Sequence, residues 1–280
     1  MKKTWLIPVL SVGAIACTPS EAQRAPAFTN AATGFGAEYV AKLESVQTHG
    51  EWVTYAGPGG DSVKAYIAYP MSSGPAPAMI IIHEIFGLSD WIRTVADDFA
   101  AKGFVAIAPD LLTRRGGTVS ADSARKVIGG LKPDSITVDL NATAAYLKGL
   151  KAVKGNAIGA IGFCWGGGQT FRYATNNPDL KVAVVCYGPA PDSMTYGQIK
   201  AKVYGAYGGM DNRINGGIPD AERLMKAAGK SYQPKIYPGA RHGFLRSQGT
   251  GMSPDSAAAE KAQADQGWAD IHAFVKANLK

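Results

Sequence analysis

Ile158-Gly159-Ala160-Ile161-Gly162-Phe163-Cys164-Trp165-Gly166-Gly167-Gly168 is an apolar run that ends at a cysteine set among glycines, and a helix-compatible stretch through Gln169 and Tyr173 follows it. This order suits a nucleophile elbow, the sharp strand-to-helix turn that lifts a reactive side chain above a parallel sheet. Gly162 and Gly166 fit there because the turn crowds backbone against backbone and leaves no room for a Cβ. The usual serine is replaced by Cys164. A thiol is a poor nucleophile until it becomes a thiolate, so the reading requires a nearby base and a positive environment.

Working outward, 78–83 (Ala-Met-Ile-Ile-Ile-His) is a continuous apolar run, as expected of a strand buried on both faces. Similar runs at 104–108, 182–187 and 202–207, with 233–237, predict further strands. Upstream, 51–56 and 63–70 alternate as an antiparallel hairpin around Gly57-Pro58-Gly59-Gly60-Asp61. Helices are predicted from Ser89 or Asp90, either of which can cap, to about Lys102, then over 120–128, 133–150, 218–228 and within 253–279. Strands alternating with helices through short connections predict an α/β fold, a doubly wound, mostly parallel sheet with helices on both faces. Ligands of such sheets bind beyond the carboxyl ends of the strands, so the residues just after each strand are the ones to inspect.

Two of those strand ends carry chemistry. Strand 202–207 runs into Gly208-Gly209-Met210-Asp211, and strand 233–237 into Pro238-Gly239-Ala240-Arg241-His242-Gly243-Phe244. The order nucleophile, acid, base (Cys164, Asp211, His242) matches that expected of α/β-hydrolases. An imidazole must reach the sulfur with one nitrogen while a carboxylate fixes the other. Taken singly, the elbow could be a packing corner, Asp211 a turn residue and His242 a solvated loop histidine; together, each after its own strand, they read as a triad. Among the other histidines, His49 precedes the hairpin, His272 suits packing in the last helix, and His83 reads as structural, lining the pocket floor. The loop after strand 78–83 supplies one oxyanion amide in this fold and the residue after the nucleophile the other, here Ile85 and Trp165. Glu84 lies outside a plain triad: a carboxylate near a thiol raises its pKa or accepts its hydrogen bond.

The 280 residues, 46% of them apolar, suffice for a real core. The net charge of +7 comes from basic residues scattered along the chain, without the stripe that nucleic-acid binding needs. No His and Cys spacing suggests a metal, and no cofactor motif is present. Lys2 and Lys3 precede the apolar run 5–16, too short to span a bilayer and the right length for a secretory signal. Ala14-Ile15-Ala16 offers a small-residue cleavage site with Cys17 behind it, resembling a lipoprotein box. The expected organisation is therefore a signal peptide over 1–17, a leader or linker over 18–49, and a single domain over 50–280. Export to a bacterial envelope follows, periplasmic or lipid-anchored at Cys17. Three cysteines give no disulfide framework once Cys17 is set aside.

The combination of HEIFGL (83–88), PDL (109–111), GFCWGG (162–167), YGGMD (207–211) and the histidine followed by Gly243, Phe244 and then Arg246 resembles the dienelactone hydrolase family over about residues 50–278. The resemblance implies an α/β-hydrolase fold, the triad Cys164, His242, Asp211, and Glu84 as the residue that holds the resting thiol until substrate displaces it. It also implies that two arginines hold a substrate carboxylate: Arg246, and either Arg114 or Arg115 in the loop after Pro109-Asp110. The expected activity is hydrolysis of lactones or small carboxylic esters, anionic ones included, by a monomer through an acyl-enzyme. The rivals are a general carboxylesterase or thioesterase acting on neutral substrates, and a non-catalytic anchored binding protein on a hydrolase scaffold.

Overall fold

The computed structural model describes residues 37–280 apart from 192 and 248; the signal and lipidation readings, with Cys17, lie outside the described residues. Period-two alternation decides how each central strand is buried. In β3 (Ala76–Ile82), Ala78, Ile80 and Ile82 face one hydrophobic cluster and Met79 and Ile81 the other, all without exposure to solvent. Residues of this kind contribute roughly 1.5–3 kcal/mol each on full burial, which is why the middle of the sheet tolerates no polar side chain on either side. The same split recurs in β6 (Val182–Cys186), where Ala183 and Val185 oppose Val182, Val184 and Cys186.

The described residues form one eight-stranded sheet. β1 (His49–Ala56) and β2 (Ser62–Tyr69) pair antiparallel, His49 opposite Tyr69, and β2 also runs antiparallel to β4 (Val105–Pro109). β4, β3, β5 (Val153–Phe163), β6, β7 (Lys202–Gly208) and β8 (Tyr232–Tyr237) are parallel, and the order is β1-β2-β4-β3-β5-β6-β7-β8. Helices α4 (Pro133–Gly149), α5 (Trp165–Asn176) and α7 (Ile218–Ala227) cover one face; α2 (Asp90–Ala101) and α9 (Pro254–Asn278) cover the other. This is the doubly wound, mostly parallel arrangement that the alternating pattern predicts, and the α/β-hydrolase fold that the resemblance implies.

The structure departs from the sequence reading at the edges. Within the stretch read as linker, α1 (Ala37–Ser45) is a helix packed against α2. Nine residues are too few to hold a helix alone, so its order comes from that docking, which local sequence does not encode. β5 starts at Val153, ahead of its apolar run, because Ala76 pairs with Val153 across an irregular register before the ladder resumes at Ala78 and Ile158. Ser89 has the extended backbone of a cap to α2 without a side-chain capping bond, while Asp90 pairs with Arg93 at 2.8 Å. Among the described residues three short helices remain: α3 (Ala121–Ile128), and two single turns, α6 (Asn212–Asn215) after β7 and α8 (Phe244–Ser247) after β8.

Candidate active site

The elbow forms where β5 ends at Phe163 and α5 begins at Trp165. Cys164 between them has φ 56° and ψ −116°, a conformation that costs a non-glycine residue about 1–3 kcal/mol and persists only where the surroundings enforce it. They do so through close backbone approach. A Cβ on Gly162 would strike the carbonyl of Gly166, and one on Gly166 would strike the carbonyls of Ile82 and His83 at the end of β3. The Cys164 N–H donates to the carbonyl of Cys186 at 3.0 Å, tying the elbow to the end of β6. Both described cysteines are free thiols.

The three strand-end residues converge. His242 Nε2 lies 3.1 Å from Cys164 Sγ, and His242 Nδ1 lies 2.5 Å from Asp211 Oδ2. Asp211 is buried, and the two loops are laced together by Met210 N–H donating to the Ala240 carbonyl at 2.9 Å and Gly209 N–H to that of Tyr237 at 2.8 Å. Tyr187, itself at φ 41°, sets its ring edge-on to the imidazole at a centroid distance of 5.1 Å. Sequence reading missed Tyr187; the only hint was its place at the end of β6, beside Gly188.

Burial, followed by the negative charge of Glu84, pushes the Cys164 thiol up to about 11; the Trp165 N–H and the charges of Arg213 and Arg246 act the other way. Arg213, just past Asp211, is a second residue that sequence reading did not single out. Trp165 opens α5, so the positive dipole end of that helix lies beside Cys164. Among the described turn and loop hydrogen bonds, the Ile85 N–H donates to no backbone carbonyl, and Trp165 as the first helical residue has no partner inside its helix.

His83 is wholly buried and stacked on Trp165 at 5.5 Å between centroids. Its Nε2 accepts from the Leu111 N–H at 3.3 Å, so its Nδ1 carries the proton and donates to the Glu84 carbonyl at 2.8 Å. Burial lowers its pKa, in keeping with this neutral form. Asp110 fixes the neighbouring loop: its carboxylate accepts from the Thr118 N–H at 2.6 Å, the Thr118 hydroxyl at 2.8 Å and the Leu112 N–H at 3.1 Å. Thr118 Oγ1 in turn accepts from Leu88 N–H at 3.0 Å, which ties this loop to the one carrying Ile85. The PDL motif thus serves as a brace.

Glu84 is 3% exposed, and burial raises its pKa against the pull of Arg246. Its carboxylate meets Arg246 Nε at 2.8 Å, while the sulfur sits on His242. The arrangement therefore differs from the thiol-holding contact that the family resemblance implies for Glu84: a cation within reach takes the carboxylate, and Glu84 acts on the sulfur through its charge. Arg246 also lies over the Phe86 ring at 5.1 Å. The other arginines point elsewhere. Arg114 pairs with Asp139 of α4 at 3.0 Å and with Asp61 at 3.7 Å, and Arg115 is exposed on the same turn. A carboxylate on α4, distant in sequence, outcompetes the site for Arg114.

Residues 63–279 match the dienelactone hydrolase family. A protein of Methylorubrum extorquens provisionally named carboxymethylenebutenolidase is 33% identical over 201 residues, covering 65% of this chain and 68% of that protein. One of the same provisional name from Escherichia coli K12 is 33% identical over 201 residues, covering 66% and 74%. A crystal structure of a provisionally named dienelactone hydrolase from Klebsiella pneumoniae superposes with a TM-score of 0.72 at 26% identity, covering 82% of this chain and 98% of that one.

Proposed function

The chain belongs to the dienelactone hydrolase family and is a carboxylic ester hydrolase, and from that premise we propose that it cleaves lactones or small esters by nucleophilic catalysis at Cys164. The observation that carries the reading is the contact line Sγ to Nε2 at 3.1 Å and Nδ1 to Asp211 at 2.5 Å, at the end of a strained elbow. Cys164 passes its proton to His242 Nε2 and the thiolate attacks the substrate carbonyl. The N–H groups of Ile85 and Trp165 hold the resulting oxyanion, an interaction of the kind that removes several kcal/mol from an acyl-transfer barrier, on the order of 3 per donor. Collapse expels the alkoxide, which takes the proton from Nε2 and leaves a thioester. Water, deprotonated by the same nitrogen, then attacks the thioester and restores the thiol, while Asp211 stabilises the imidazolium in both halves.

A thiol pushed up to about 11 is almost wholly protonated at neutral pH. An anionic substrate could take the place of Glu84 on Arg246; once the carboxylate shifts, its repulsion of the thiolate weakens. Substitution of Cys164 by Ala tests the core of the scheme: turnover of p-nitrophenyl acetate should fall to background, and unchanged turnover would remove the nucleophile.

One observation favours the neutral-ester reading. Arg246 and Arg114 are both already paired with carboxylates, Glu84 and Asp139. Matched acidic and neutral esters discriminate the two, since only a carboxylate-binding site prefers the acid. We propose further that the chain is exported to a bacterial envelope, periplasmic or lipid-anchored at Cys17, on residues 2–17 alone; labelling with radioactive palmitate in a bacterial host tests the anchor.

A further inference from the structure

We propose that Glu260, on α9, is the positioning residue for His242 and for the segment that carries Arg246; the inference rests on the triad reading above. Glu260 is 1% exposed, and its carboxylate gathers four donors. Oε1 accepts from the Arg241 N–H at 3.0 Å and from Arg241 Nε at 2.9 Å; Oε2 accepts from Arg241 Nη2 at 2.8 Å and from the Gly249 N–H at 2.7 Å. Arg241 is the residue immediately before His242. Gly249 lies just past α8, whose Arg246 grips Glu84.

The physical need is specific. The His242 loop leaves β8 and must present an imidazole to Cys164 and Asp211 while its backbone turns inward against α9. The Arg241 N–H has no strand or helix partner in that turn, and an unmet buried donor costs roughly 1–3 kcal/mol. Glu260 meets it, and the guanidinium of the same residue neutralises the carboxylate, so the pair is bidentate and directional. Burial would raise the Glu260 pKa, but the bonds from Arg241 and Gly249 outweigh it and hold the acid down at about 2, so the clamp stays charged at any working pH. The close fit extends to Gly249, at φ 89°, where a Cβ would lie 2.5 Å from Ala257 Cα of α9, closer than real Cβ contacts come. One carboxylate from the last helix thus fixes, from behind, the loop of the base and the end of the arginine turn.

The test compares Glu260→Gln with His242→Ala on p-nitrophenyl acetate, with circular dichroism to establish that each is folded. An amide offers one acceptor where four donors converge and sets its NH2 against two of them. A misplacement of about 1 Å at a reacting group can cost on the order of 100-fold, so kcat of the Gln variant should fall about 10- to 100-fold with KM within about twofold. A simple packing role would lower the melting temperature and leave kcat of the folded fraction intact. A folded Gln variant with wild-type kcat would overturn the proposal while leaving the triad standing; wild-type turnover in His242→Ala would overturn both. Should the Gln variant not fold, hydrogen exchange of the wild type decides. Arg241 and Gly249 amides protected well beyond exposed loop amides support the clamp, and exchange at the free-loop rate refutes it.

Discussion

Replacing Glu84 by Gln is the perturbation that reads the electrostatics of the elbow most sharply. The wild-type thiol is held at about 11, burial being the largest cause and the Glu84 charge the next. At pH 7 the thiolate fraction is then on the order of 10⁻⁴. Removing the charge while keeping the shape leaves burial but deletes the repulsion, and the Arg246 guanidinium, no longer matched by Glu84, adds to the attraction. A neighbouring charge within a few ångströms moves a pKa by about 1–3 units; because Glu84 and Arg246 already offset one another, a fall of about 1–2 units is expected. The thiolate fraction then rises about 10- to 100-fold, but its intrinsic nucleophilicity drops with a Brønsted slope of about 0.4–0.5. The product is a gain of about 3- to 16-fold in the alkylation rate. The assay is the second-order rate of iodoacetamide reaction at pH 7, followed at the Cys164 peptide by mass spectrometry; wholly buried Cys186 is silent in the folded protein. A folded Gln variant that alkylates no faster than wild type would refute the reasoning.

Gly166→Ala places a methyl against the carbonyls of Ile82 and His83, and backbone cannot step aside as a side chain can. Overpacking of this kind costs about 1–3 kcal/mol, so denaturant melts should show a clear loss of stability, and a change below about 0.5 kcal/mol would mean that the elbow is looser than described. Arg246→Ala should raise KM for acidic lactones more than for neutral esters if the guanidinium receives substrate in exchange for Glu84. Equal effects on both panels would assign Arg246 to holding Glu84 alone.

Sequence made the centre of the molecule readable and its supports much less so. The run of Ala-Met-Ile-Ile-Ile announces β3 because burial on both faces leaves a continuous apolar signature. Cys164, Asp211 and His242 could be assembled because the fold rule puts reactive groups just after strands, whatever their separation along the chain. Partner choice has no such rule. That Arg114 turns to Asp139, that Arg246 takes Glu84, and that Glu260 anchors Arg241 depend on which helix face arrives beside which loop. Helix α1 was invisible for the same reason, its stability residing in contact with α2 rather than in its nine residues.

The covalent step is the most direct point of attack. Intact-protein mass spectrometry after brief reaction with a slowly deacylated p-nitrophenyl ester should show one acyl group added, mapped by peptide analysis to Cys164 and absent from Cys164→Ala. Turnover of that ester with no adduct at any time, or an adduct on a different residue, would contradict the account.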